Sequence, residues 1–298
     1  MPVTSPLTQL RNASGDALRD LLTAPRYVPA SPARDRSGSG PGADPGLFGP
    51  DSVAWRVHSH MSSLVGGFRS LLVQTLHPLA IAGVTEHSNF RADPLGRLQR
   101  TAGFVAITTY GTTTEAEAAI ARVRRVHERV QGVAPDGRPY SANDPDLLAW
   151  VHHVEVQSFL VAYRRIGPGL SARDADRYVA EMALLGGRLG VKEPLTTVAG
   201  LNEWVDNHPE RLVTPLAREA VRFMLAPPLP LPLRAPYTVL LAGAISLIPM
   251  RARAQLGLWW LGPVSGRLAC QPAARAMAAA MAWAMGPSVP RARAEARL

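Results

Sequence analysis

The sequence predicts an all-α protein: a single globular multi-helix domain, residues 49–286, between two tails. Three observations carry this. Apolar residues recur at spacings of three and four through most of the body, the period of one helix face. Capping residues and prolines at helix starts, with glycines at helix ends, punctuate that pattern. Outside short turns, no stretch of five or more residues alternates apolar and polar as a half-buried strand does. There is no internal repeat. Apolar residues make up 47% of the 298-residue chain, enough for a large core.

The elements follow in order. Residues 1–48 contain SPARDRSGSGPGADPG, a Ser/Pro/Gly stretch that resists packing and predicts a mobile tail. A long helix is expected over Met61–Ala82, with Leu64, Phe68, Leu71, Leu72, Leu76 and Leu79 inward. Pro78 predicts a kink in it, because proline lacks the backbone donor. The pair Gly66-Gly67 suits close helix packing. A second helix runs from about Pro94 to Thr109 and stops at Gly111. The next spans Glu115 to Val130, with Ile120, Val123, Val126 and Val130 as its apolar stripe. Thr112, Thr113 or Thr114 caps it, Glu115 or Glu117 completes a capping box, and Gly132 ends it. The turn-rich GVAPDGRPYSANDP follows. Asn143 or Asp144 with Pro145 then opens a helix over Asp146–Arg165. Ser171 caps another, to about Gly186. Further helices are expected near 198–206, 211–225, 237–247, 250–259 and 272–284, before a basic tail at residues 287–298.

Charge and cysteine usage narrow the classes. The net charge is +9 and the isoelectric point near 10.6. The arginines are scattered along helices, and the one clear basic cluster is Arg291–Arg297. With no zinc-finger spacing, aromatic RNA-binding signature or recognition helix, the reading is a solvated basic surface and no nucleic-acid partner. Cys270 stands alone, so no intrachain disulfide can form. The first twenty residues lack the basic start and apolar core of a secretory signal, so a cytoplasmic location is expected. The longest apolar run, Tyr237–Met250, falls short of the roughly twenty residues that span a bilayer. Met277, Met281, Trp283 and Met285 precede the basic tail. That pairing reads either as a peripheral contact with an anionic membrane or as a core helix followed by a disordered tail.

No GxGxxG, Walker loop, HExxH or GxSxG is present. Four polar groups stand out instead. His127 lies four residues from Val123 and three from Val130, so its imidazole points inward with them. Such a group is either a core histidine bonded to a carbonyl or a metal ligand. Arg97, Arg100, Thr101 and Phe104 share one helix face, either a solvated face with a salt bridge or a cradle for carboxylates and polarised oxygens. Gln74, His77 and His87-Ser88 surround Pro78 and either close a broken helix or line a site. His152 and His153 point about 100° apart, so one of them at most faces a site squarely; the alternative is structural hydrogen bonding.

The succession LLVQTLHPLAIAGVTEHSNFRADPLGRLQRT, then FVAITTYGTTTEAEAAIARVRRVHERVQG, then DGRPYSANDPDLLAWVHH resembles one family. It contains rubber oxygenase (latex clearing protein) and the oxygenase of mycophenolic acid biosynthesis. The resemblance runs from about Trp55 to about Trp260. It implies an all-helical fold with a haem pocket between helices, and haem b bound through a histidine. His127 resembles the axial ligand, and Arg97 and Thr101 resemble the Arg-x-x-x-Thr pair beside the haem. Arg100 stands where rubber oxygenase carries a lysine. Because arginine stays protonated, this departure implies an open or water-bound sixth position, with Arg100 or Arg97 as distal donor. Glu86 lies near a catalytic acid of the family. The implied activity is a haem-dependent oxygenase that uses dioxygen on an apolar, isoprenoid- or lipid-like substrate or a secondary metabolite. A haem sensor or carrier, and a helical apolar-ligand protein without haem, are the alternatives from other classes.

Overall fold

A computed structural model describes residues 44–298 of the chain. The order of elements is α1 Val53–Ser59, α2 Ser62–Gln74, α3 Pro78–His87, α4 Pro94–Tyr110, α5 Thr113–His127, β1 Gln131–Val133, β2 Pro139–Ser141, α6 Pro145–Arg165 and α7 Ala172–Leu189. Then come α8 Val198–Asp206, α9 Pro215–Leu225, α10 Leu231–Ser246, α11 Met250–Gln255, the short turn α12 Pro263–Ser265, a π-helical segment Gly266–Cys270, α13 Gln271–Met285 and α14 Val289–Arg297. Among these described residues the fold is all-α apart from one antiparallel β1–β2 hairpin, in which Gln131 faces Ser141.

Helix α6 runs through the middle. Its Trp150, Val154, Leu160 and Ala162 are buried, and α2 packs along it. Gly66 makes that crossing close: a β-carbon there would sit 2.8 Å from the Phe159 ring and 2.9 Å from the Phe159 Cα. Beyond α2 lie α10 and α13, joined through Val65, Leu240, Ala244, Ala274 and Ala278. On the other side α1, α7 and α8 cover α6. One buried charge crosses the core. Arg69 donates to Ser158 Oγ (2.6 Å), Gln157 Oε1 (2.9 Å) and the Leu247 carbonyl (3.3 Å). Burial lowers its pKa to about 10, so it stays charged at neutral pH.

Several starts are capped as expected. Thr112 and Glu115 form a full capping box, Asp144 with Pro145 opens α6, and Ser171 caps α7. Three expectations are corrected. Pro78 ends a helix rather than kinking one. His77 is pushed to φ −102°, ψ 117°, and Pro78 becomes the first residue of α3, since the residue before proline avoids the helical region. Val126 is 45% exposed; at 100° per residue it lies about 90° from the centre of the stripe formed by Ile120, Val123 and His127. Residues 131–141 form a hairpin whose three-residue strands are too short to show alternation.

Both expected tail segments carry contacts where they are described. Most of the expected 1–48 tail lies outside the described residues. Within it, Asp44 accepts from Thr113 N (2.7 Å) and Oγ1 (2.8 Å), and Phe48 packs beside Trp55 and Tyr110. At the other end α14 lies on α4, with Ala294 buried and Arg297 donating to the Asp44 and Tyr110 carbonyls. Of the α13 side chains, Met281 is core and Met277 packs against it, whereas Trp283 is 53% exposed.

The two adjacent glycines separate packing from propensity. Gly66→Ala should lower stability by ~1–3 kcal/mol through overpacking. Gly67→Ala meets nothing within 4 Å and should be neutral or stabilising by up to about 1 kcal/mol. Thermal denaturation of both variants checks this.

Candidate active site

Helices α4 and α5 form an antiparallel hairpin around Gly111. Arg97 lies fourteen residues before the turn and His127 sixteen after it, so at 1.5 Å per residue both reach the open end, about 22 Å from the turn. The C-terminus of α3 meets that end. Arg97 Nη1 donates to Ser88 Oγ. The turn after α5 lies on α3: a β-carbon at Gly132 would sit 2.9 Å from Glu86 Oε2. Glu86 accepts from the Tyr140 hydroxyl on β2, and His87 Nε2 lies 3.1 Å from the same hydroxyl. The fold thus brings Arg97, Glu86 and the chain just after His127, distant in sequence, to the C-terminal end of α3.

Their chemistry differs. Burial lowers the pKa of His127, which keeps the imidazole neutral at pH 7, and its Nδ1 is buried with no hydrogen-bond partner. Burial, and behind it the charge of Arg100, lowers the pKa of Arg97. Among the described residues no carboxylate pairs with Arg97. Burial, aided by the Glu86 carboxylate, pushes the Tyr140 phenol up to about 12, so it stays a donor. Arg100 faces outward and pairs with Asp93 at 3.2 Å, the salt-bridge alternative for this face. Thr101 is exposed, and its hydroxyl donates to the Arg97 carbonyl.

The other two sequence candidates divide. His77 and His153 are packing groups in an aromatic cluster with Trp150, Trp204 and His208. Gln74 donates to Ser70. His152 instead faces a cavity of about 20 Å³, room for one water. Gly186 makes space for it, since a β-carbon there would meet His152 Nε2 at 2.6 Å. His58, Thr108 and Glu155 line the same cavity. Glu155 escaped the sequence reading, although it sits three residues from His152 and four from Phe159, on the buried face of α6. Burial alone pushes its carboxyl up to about 7. The stripe Arg97–Thr101–Phe104–Thr108 on α4 runs from the open end of the hairpin to this cavity. No three His, Cys, Asp or Glu among the described residues are grouped to hold a metal ion.

Comparison with known families assigns the class, an oxygenase catalytic domain. Residues 55–283 match the family described as ER-bound oxygenase mpaB/B'/Rubber oxygenase, catalytic domain, and the chain belongs to it. Membership implies an oxidoreductase that takes dioxygen and an organic substrate. No curated protein and no solved structure matches the chain.

The buried ionisable groups set opposite pH slopes. Burial lowers His58 to about 4 and His152 to about 3. The unfolded chain therefore binds more protons than the folded one between those values and about 6.5, and stability rises with pH there. Glu155 is raised, so it binds its proton in the folded state first, and its contribution is lost as pH rises from about 4.5 to 7. Glu155→Gln removes that loss. Its stability relative to the parent should improve by about 1 kcal/mol or more between pH 4.5 and 8. Melting temperatures of both proteins across this range check the sign.

Proposed function

We propose that this protein is a haem b-dependent oxygenase acting on an apolar substrate, isoprenoid- or lipid-like or a secondary metabolite. The observation that supports this best is His127, a neutral imidazole whose Nδ1 is buried with no hydrogen-bond partner. The donor set fits haem rather than a bare ion. One histidine is offered with no second or third protein ligand grouped beside it among the described residues, so a metal held here would have to arrive with most of its ligands, as the iron of haem does. Haem, when bound, supplies the redox chemistry of dioxygen.

The chain's own residues hold and orient. His127 would supply a nitrogen ligand to the haem iron, its imidazole kept neutral at pH 7 by burial. Arg97 offers a guanidinium with no carboxylate partner among the described residues, which suits the propionates or charge developing on oxygen. Thr101 adds a hydroxyl on the same face, at the rim. Arg100, held outward by Asp93, acts from the rim on oxygen binding. Glu86 is the candidate acid–base group, with its Oε2 accepting a hydrogen bond from the Tyr140 hydroxyl. The apolar part of the α4 stripe favours an apolar substrate.

The purified protein should show a Soret band and about one haem per chain. His127→Ala should abolish stable haem binding and leave the far-ultraviolet helical spectrum intact. A colourless parent protein that also fails to take up added haemin overturns the reading. Mass spectrometry of products from apolar substrates, with dioxygen consumption as the control, tests the oxygenase step.

The two arginines should separate. Arg97→Ala should weaken haem retention roughly tenfold or more, on the scale of a lost hydrogen bond to a charged group, ~1.5–3 kcal/mol. Arg100→Ala should leave retention nearly unchanged and alter the dioxygen-bound spectrum or turnover. Haem transfer to an acceptor protein measures the first, and stopped-flow spectroscopy the second.

A further inference from the structure

The C-terminal third carries a face that the oxygenase reading does not use. A groove of about 660 Å³ lies between the ends of α6 and α10, α11 and the π-helical segment. Arg164, Arg165, Arg253 and Arg267 line it, and no acidic side chain does. Among the described residues none of these four arginines pairs with a carboxylate.

Beside the groove stands a set of exposed apolar side chains. Arg253, only 3% exposed, fixes the loop that carries two of them: its Nη1 donates to the Leu261 carbonyl at 2.5 Å, and its own carbonyl accepts from Leu258 N at 2.8 Å. The Arg253 Nε is buried with no partner. On that loop Trp259 and Trp260 are 68% and 56% exposed. Val264 and Leu268 follow, 67% and 76% exposed and four residues apart, in the row beside Arg267. In Trp55 and Trp150 the same ring type is fully buried. Adjacent exposed tryptophans held by a structured loop, beside unpaired arginines, suit a surface that is apolar below and anionic above.

We propose that this face docks on a bilayer of anionic phospholipid. The exposed Arg164, Arg165 and Arg267 take the phosphates, and Trp259, Trp260, Val264 and Leu268 enter the headgroup–acyl boundary. Charge argues against a second copy of the chain, because a two-fold contact would set the arginines against each other. A free anion would leave the tryptophans in water. The contact is peripheral: no helix among the described residues is long and apolar enough to cross a membrane. It does not rest on the haem reading.

The test is co-sedimentation of the full chain with vesicles of phosphatidylcholine alone or mixed equally with phosphatidylglycerol, read with tryptophan emission. The parent should pellet only with the mixed vesicles, less at high salt, with its emission shifted to the blue. Trp259→Ser/Trp260→Ser should lose the shift and cut binding at least tenfold, with an unchanged melting temperature. Arg164→Glu/Arg267→Glu should cut it similarly. Arg173→Glu/Arg293→Glu, the same charge change on exposed residues elsewhere, should bind as the parent does. The proposal is overturned if the parent stays in the supernatant with mixed vesicles at low salt. It is equally overturned if both arginine pairs weaken binding alike. A dimer in sedimentation velocity that Trp259→Ser/Trp260→Ser dissolves also overturns it, by assigning the face to a second copy.

Discussion

Where α2 crosses α6, Gly66 leaves no room for a β-carbon, and Arg69, one turn on, spreads its guanidinium over Gln157, Ser158 and the Leu247 carbonyl. Close backbone approach alone gives dispersion contact without choosing a register. The buried charge chooses it, because sliding either helix by a residue would strand a guanidinium in the core. The rest of the molecule inherits this register. Helix α3 follows α2 after the three-residue break at Thr75–His77, so the place of Glu86 and Ser88 relative to α6 is set there. Helix α10, tied in through Leu247, carries the groove wall at its end.

The candidate site is assembled by contacts of a different kind. Arg97 reaches Ser88, Tyr140 reaches Glu86, and Gly132 lets the chain pass close to both. These are single polar contacts at the edge of the bundle rather than core packing. Helix α5 shows the same gradient along its length. Ala116, Ala119 and Ile120 are buried, while Val123 and His127 are only half-buried. The end that carries His127 is the less tightly held end, as low local stability often accompanies binding.

Much of this was legible where a local rule decides the outcome. The inward direction of His127, the capping box at Thr112, the Asp144–Pro145 start and the Ser171 cap follow from side-chain spacing and backbone donors. Pro78 was legible as an interruption but not as a terminus, because whether a proline bends or ends a helix depends on what the next turn packs against. Here α3 turns away to meet α9, with Phe90 on Phe223 at 5.4 Å. The β1–β2 hairpin is held by two three-residue strands, below the length at which alternation exists. Glu155 carried a signal, an acid on an otherwise apolar face, yet its neighbours His58 and Thr108 come from helices about a hundred and about fifty residues away. The arginine groove is assembled from the ends of separate elements, and its residues look in sequence like any others of a scattered basic surface.

The closed end of the α4–α5 hairpin is pinned three times. Asp44 holds Thr113, Arg297 holds the Tyr110 carbonyl, and the Tyr110 ring packs edge-on to Trp55 at 5.2 Å while its hydroxyl donates to the Trp55 carbonyl. Two rods clamped at one end, like the arms of tweezers, depend on separate contacts at the other, here the contacts with α3. With arms of about 22 Å, a relative rotation of roughly four degrees opens the tips by about 1.5 Å. The α3 contact at Ser88 is what such a rotation must release. Parting the far ends would have to break the Arg97–Ser88 bond on the side of α4 and lift the chain at Gly132 off Glu86 on the side of α5.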